Sequence, residues 1–540
     1  MSTSRLRDLL LVYWPVGLAA LIMIPRLLSA EFGLFDDGET LRVAQDIQNG
    51  DWGVLAKEAI RGRFRPVYWI QYAHIYALFG AAPAWFFLWN TLLFVVVTVE
   101  LILLVRRTGA GRFQAATTGF IFVLSGPVVE NIYTLSKPEL LQILLLLGAL
   151  LFFTPLCESD RPRRRVVSSA VFATLLLLAA TLTKETTLVM VPIAAAWMLL
   201  AIIGAPRDQR RADANRGGTL LFAAAAASLL YFVLRDQFLE ISLSEGTYTN
   251  NLEWSLGRLA DSIVRWSGWL VRDFVWLAPL VLVLAIGLLD RRLEQARLLA
   301  GATVWIAGWI LIYLPWEFTV EYYMLPVSIG VSVIAGVALN SLREWIRGGR
   351  RVALAWLALG LASALWLTTL PNNLSNARQQ IAVDRANARL LQFLSEEAGG
   401  NRELIVNIQH ENEYVYEVRT HLQDVKGLVE TQVAVFDPGG GLPSGSALIA
   451  APYVHNQPLL AVRMGVIEPA QEAWNQSLQE VLGQGAETVF ETEENLRLSI
   501  VDLPRLLCSV LPERGYCRAE RPLIDTREFR YGWRVYDLHG

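Results

Sequence analysis

The chain is 540 residues long, 54% hydrophobic and 18% charged, with a mean hydropathy of +0.38. Its apolar residues fall in blocks of roughly 16 to 23, the length at which a helix crosses a bilayer, which excludes a soluble enzyme. Net charge is −3, but 32 basic and 27 acidic residues precede the break at Pro371 against 15 and 23 after it, so the two parts occupy different surroundings. Three Cys and five His without a Cys/His cluster argue against a zinc or iron–sulfur module.

In chain order, apolar stretches bounded by charge predict spans near 9 to 28, 83 to 105, 115 to 132, 139 to 156, 166 to 182 and 186 to 204. Five more follow near 218 to 234, 274 to 289, 298 to 316, 323 to 341 and 352 to 371, about eleven in all. Residues 66 to 80 are shorter and include Gln71, Tyr72 and His74. Counting them as a span would place eighteen of twenty loop Arg outside, against the positive-inside bias, so they are read as a helix on the outer surface. Arg5 and Arg7 ahead of a long apolar run ending at Ser29 and Ala30 predict an uncleaved signal anchor with a cytoplasmic amino terminus. The Arg-rich, Lys-poor usage points to a bacterial plasma membrane.

Two domains are expected. Residues 1 to 371 form a membrane part whose first outer loop, 29 to 82, carries the chemistry, and residues 372 to 540 form an extracytoplasmic domain. The latter alternates amphipathic stretches (376 to 398, 469 to 483) with strand-like runs at 403 to 408, 431 to 437 and 446 to 452, which suggests an α/β or α+β fold. An oxidising compartment would permit a Cys508–Cys517 disulfide, with two free buried thiols as the alternative. The glycines at 439 to 441 read as a turn, and nothing indicates a nucleic-acid partner.

Charge is costly in a bilayer, so ionisable residues collected at the outer ends of spans are functional candidates. They occur in FDDGET (35 to 40), GRFRP (62 to 66), SKPE (136 to 139), TKE (183 to 185) and PWEFTVEYY (315 to 323). The chain has four Lys against 43 Arg, and Lys57, Lys137 and Lys184 all fall in these outer loops, where a compact ammonium suits a phosphate oxygen. Asp36 followed by Glu39 has the spacing of a capping box, which would leave Asp37 free to face a site. Arg63 and Arg65 precede Pro66 at a helix start and would either anchor to headgroups or clamp a lipid phosphate. His410 and His421 are too isolated for metal ligands.

Together these features resemble the GT-C superfamily of membrane glycosyltransferases, most closely its protein O-mannosyltransferase and aminoarabinose-transferase branch, over roughly residues 9 to 340. The resemblance implies a mainly α polytopic fold, an acidic motif at Asp36 and Asp37, an Arg-Pro element at Arg65 and Pro66, and a Lys-Glu element at Lys184 and Glu185. Glu39, Glu139 and Tyr322 would support them, although the basic residue often preceding that tyrosine is missing here. It implies a polyprenyl-phosphate sugar donor held by Lys184, Lys137, Arg65 and Arg63 among membrane lipids. Because a lipid phosphate leaves without protonation, cations would stabilise it, while Asp36 or Asp37 would take the acceptor proton and invert the anomeric centre. No cofactor is required, though Asp37, Glu39 and Glu185 could supply oxygens to a divalent metal. A transporter or flippase of lipid-linked substrates, or a non-catalytic receptor of the same fold, would use a similar inventory. Neither sugar nor acceptor is legible.

Overall fold

The computed structural model describes residues 3–34, 36–55, 63–153, 163–204, 210–238, 252–289, 295–316, 320–349, 351–400, 405–408, 412–435, 447–455, 487–501 and 524–537. Cys508, Cys517, Lys57, the 469 to 483 stretch and the glycines at 439 to 441 lie outside them.

The first crossing helix, α1 (Thr3–Leu28), leads into a short α2 (Asp37–Gln48) and then α3 (Pro66–Phe79), which begins with proline at its first position, as the Arg-Pro element predicts. The bundle continues through α4 (Pro83–Arg107), α5 (Arg112–Val123), α6 (Gly126–Tyr133), α7 (Glu139–Phe153) and α8 (Arg163–Thr183). Then come α9 (Met190–Gly204), α10 (Arg210–Phe238), α11 (Leu256–Phe274), α12 (Ala278–Leu289), α13 (Ala296–Leu311), α14 (Leu325–Arg347) and α15 (Val352–Gly400). Within the described residues, the apolar stretches expected to cross fall mainly on these helices, and the end of the 139 to 156 stretch lies outside them. Among the described residues, seven helical segments are long and apolar enough to span a membrane, or eight if α5 and α6, bent by 56°, count as one. Three shorter apolar helices fall on α7, α8 and α13. The chain is a polytopic membrane protein.

The expected boundary at Pro371 falls inside a helix. α15 runs 49 residues without interruption, first among the crossing helices and then beneath the carboxyl-terminal sheet. That sheet has five strands in the order β2-β1-β3-β5-β4: β1 (Ile405–Ile408), β2 (Gln432–Val435), β3 (Ala447–His455), β4 (Glu487–Val501) and β5 (Ile524–Asp537). β1 pairs in parallel with β2 and β3, whereas β3, β5 and β4 are antiparallel. Between β1 and β2 lies α16 (Asn412–Arg419), followed by a π-turn at Thr420–Val425. Phe529, Tyr531, Trp533 and Val535 alternate along β5 and bury one face against Leu390, Leu391 and Leu394 of α15. Asn387 fixes that docking by accepting from Tyr531 Oη and Trp533 Nε1, both at 2.8 Å.

One buried ion pair ties the first crossing helix to the carboxyl-terminal half of α15. Arg26, near the end of α1 and fully buried, pairs with Asp384 of α15, and its guanidinium lies 3.8 Å over the Phe87 ring of α4. Replacing Arg26 by Met leaves Asp384 buried without its cation and is expected to destabilise the protein by roughly 3–5 kcal/mol. Thermal unfolding in detergent micelles reads this, and an unchanged midpoint would show that the pair does not hold α1 to α15.

Candidate functional site

Asp36 stands immediately before α2 with φ at 64°, a left-handed conformation that Asp tolerates better than most residues. Its side chain makes no cap, so the expected capping box is not formed. The left-handed turn instead sends its carboxylate to Lys137, whose Nζ donates to Oδ2 at 3.2 Å. Ser136, also left-handed with φ at 61°, faces this turn. Its hydroxyl lies 3.1 Å from the Asp36 carbonyl, 3.0 Å from Asp37 Oδ1 and 2.7 Å from the Thr40 hydroxyl. Backbone of this kind costs of order 1–3 kcal/mol per residue and tends to cluster at functional sites. The SKPE loop is thus locked onto the first turn of α2.

Asp37 begins α2 and is buried. The Gly33 N–H donates to its Oδ2 at 2.8 Å. Burial, joined by the charge of nearby Asp384, pushes the carboxyl up to about 7, against the Gly33 and Ser136 hydrogen bonds and the Lys137 charge. A Cβ at Gly33 would lie 2.7 Å from Asp384 Oδ1 and 3.5 Å from Asp37 Oδ2, so glycine lets the two acids close on the backbone from either side. For Lys137, burial alone would lower the ammonium, but the charges of Asp36, Glu139 and Asp37 outweigh it and hold it above its usual value.

Asp37 and Lys137 line a cavity of about 70 Å³ together with Glu130, Tyr133 and Tyr322 from the bundle. Its far wall is the extramembrane half of α15, which presents Asn376, Gln380, Asp384 and Asn387, with Tyr414 of α16 beside them. The cavity therefore lies where the bundle end meets the carboxyl-terminal region. It has room for several water-sized groups.

Behind Tyr322 is a second polar layer. The Tyr322 ring stands 4.8 Å from Lys137 Nζ and 5.8 Å from Lys184 Nζ, between the two lysines. Lys184 pairs with Glu139, both buried, and its ammonium sits 4.1 Å from the Tyr323 ring. Arg65 grips Glu185 with two bonds, 2.8 Å from Nε and 2.5 Å from Nη2. Arg63 is half-buried just ahead of α3. The structure thus gathers Asp36, Asp37, Lys137 and Tyr322 at the cavity or directly against it, while Lys184, Glu139, Arg65 and Glu185 form ion pairs that do not line it. Glu39 is buried in the first turn of α2, where its backbone N–H meets Glu417 at 3.2 Å. Among the described residues no three His, Cys, Asp or Glu side chains are placed to hold a metal ion, and Glu185 is already taken by Arg65.

Three participants are absent from the sequence reading. Arg26 had a signal, since a guanidinium inside a crossing helix is costly unless it serves something. Asp384 had a weaker one, lying with Asn376, Gln380 and Asn387 at helical spacing on one face of an amphipathic stretch. Glu417 had none, because only the tertiary fold brings it to α2, and Ser136, although inside the SKPE motif, was not singled out there. His421, set aside as a metal ligand, is buried beside Gly38, and burial pulls it down to about 4, so it is neutral.

No family model matches this chain, and no curated protein matches it. Solved structures do. The apo ArnT of Cupriavidus metallidurans superposes over 88% of this chain and 95% of its own, with a TM-score of 0.52 at 15% identity. The same protein bound to undecaprenyl phosphate gives 0.49 at 15% identity over 81% and 92%. An oligosaccharyltransferase of Archaeoglobus fulgidus, tethered with an acceptor peptide, gives 0.48 at 12% identity over 79% of this chain. The chain spans 64% of that enzyme's length. The likeness to apo ArnT shows a shared fold.

Proposed function

We propose that the protein is a membrane glycosyltransferase that moves a sugar from a polyprenyl-phosphate donor to an acceptor hydroxyl at the outer face of a bacterial plasma membrane. The observation that carries this reading is the shared cavity, lined by a carboxyl that titrates near neutrality and by an ammonium. The Arg distribution supports a cytoplasmic amino terminus and an extracytoplasmic carboxyl-terminal region.

The residues divide the chemistry between them. As the acceptor oxygen bonds to the anomeric carbon, the bond from that carbon to the phosphate oxygen breaks, and the electron pair leaves with the lipid phosphate. The acceptor proton passes to Asp37, which is in the right protonation state above about 7. Lys137, held by Asp36 at 3.2 Å, brings its ammonium to the cavity, where its charge stabilises the departing phosphate. Asp36 aims that ammonium. Attack from the Asp37 side with departure toward the cation inverts the anomeric centre. Lys184 and Arg65, each neutralised by its own carboxylate, hold the layer behind Tyr322. No metal is assigned a step.

Labelled polyprenyl-phosphate sugars offered to the purified protein in vesicles test the reading. Transfer supports it, whereas translocation without transfer would make the protein a flippase, and neither would make it a receptor. Asp37→Asn is expected to lower kcat/KM by about 10²–10⁴-fold without loss of folded protein, and Asp36→Asn by a lesser factor. For the wild type, kcat/KM is expected to fall below about pH 7 in proportion to the deprotonated fraction of Asp37 and to level off above it. A flat profile from pH 5 to 8 would remove Asp37 as the base. Chelation with EDTA is expected to leave turnover unchanged, and loss that Mg²⁺ or Mn²⁺ restores would overturn the metal-free assignment.

A further inference from the structure

The first N–H groups of an α-helix have no partner within it, and the preceding side chain ordinarily accepts from one of them. At α2 the preceding residue is Asp36, and its carboxylate is turned away to Lys137. The missing acceptor comes from the far end of the sequence. Gly38 N–H donates to Glu417 Oε2 at 2.6 Å and Glu39 N–H donates to Glu417 Oε1 at 3.2 Å. Glu417 belongs to α16 and is 1% exposed, so both of its oxygens are engaged inside the protein.

The fit is close enough to dictate a glycine. A Cβ at Gly38 would lie 2.7 Å from Glu417 Oε2, 3.1 Å from His421 Cδ2 and 3.2 Å from the Glu417 carbonyl. The glycine of FDDGET is thereby explained by the approach of α16, since Gly38 itself has no left-handed φ. Tyr414, three residues before Glu417, lines the cavity that holds Asp37 and Lys137, so the same short helix both closes the cavity and clamps α2.

We propose that Glu417 is a positioning residue for sugar transfer: its carboxyl group, delivered by the carboxyl-terminal region, replaces the side-chain cap that Asp36 gives up, and so fixes Asp36 and Asp37 in working geometry. The carboxyl-terminal region then completes the catalytic loop as well as covering it. This inference rests on the transferase reading of the cavity.

The test uses the full chain in nanodiscs, comparing Glu417→Ala, Glu417→Gln and Gly38→Ala with a control at the exposed Glu430, Glu430→Ala. Glu417→Ala and Gly38→Ala are expected to lower kcat about 10²-fold, the scale set by a displacement near 1 Å, with the donor KM little changed. Glu417→Gln keeps one acceptor oxygen in the same shape and should fall between them and the control. Hydrogen exchange of the peptide spanning 36 to 48 gives a readout independent of turnover, and Gly38 and Glu39 should lose protection in Glu417→Ala. A fall in melting temperature with kcat unchanged would reduce Glu417 to a structural contact and overturn the proposal, as would unaltered exchange at those amides. If the wild type transfers no sugar, the transferase reading fails on its own, and the clamp stands or falls by the exchange result.

Discussion

Carboxyl groups buried at the end of a membrane bundle must each find a cation or a set of N–H and O–H donors, because leaving one unsatisfied costs several kcal/mol. Much of the candidate site follows from that constraint. Asp384 takes Arg26, Asp36 takes Lys137, Glu139 takes Lys184 and Glu185 takes Arg65. Asp37 and Glu417 differ: the partners of Asp37 are the neutral donors Gly33 N–H and Ser136 Oγ, and those of Glu417 the N–H groups of Gly38 and Glu39. A buried acid held by dipoles and facing another acid keeps its proton until near neutrality. The pairing pattern thus singles out one of the twin aspartates, which their adjacency in sequence does not.

The legible part of this molecule was what repeats or what costs most. Apolar runs gave the helices, because twenty apolar residues have few alternatives in a bilayer. The convergence of Asp36, Asp37, Lys137 and Tyr322 was foreseeable from charge at span ends. Short strands β1 to β3 read as apolar runs, but β4 did not, since in ETVFETEENLRLSIV the core residues Phe490, Leu496 and Leu498 are interrupted by Thr492 and Glu494 and the strand depends on pairing with β5. The capping box failed for an instructive reason. Asp36 and Glu39 have the correct spacing, but Glu417 outcompetes the local solution from more than 370 residues away, and spacing alone holds no information about such a competitor.

The fold and the function rest on different supports. At 15% identity the likeness to apo ArnT concerns the path of the chain, and one fold hosts many activities. The assignment of Asp37 as base and Lys137 as phosphate contact depends on where those two groups stand in this chain. The ion pairs around Lys184 and Arg65 show why a shared motif is a poor guide to contact: the Lys-Glu and Arg-Pro elements are present, yet their charges are neutralised one layer away from the cavity.

The 49-residue helix α15 changes how the extramembrane half should be pictured. At 1.5 Å per residue it is a rod of about 70 Å, anchored in lipid at one end and carrying the sheet at the other. Its cavity wall, Asn376 to Asn387, begins one turn beyond Pro371, where the ladder of backbone bonds lacks a donor. Beyond that proline the wall is still pinned to the bundle, by Asp384 on Arg26 and by Asn376 Nδ2, which donates to Glu130 Oε1 at 3.1 Å, so sheet and cavity share one continuous rod of backbone rather than a linker.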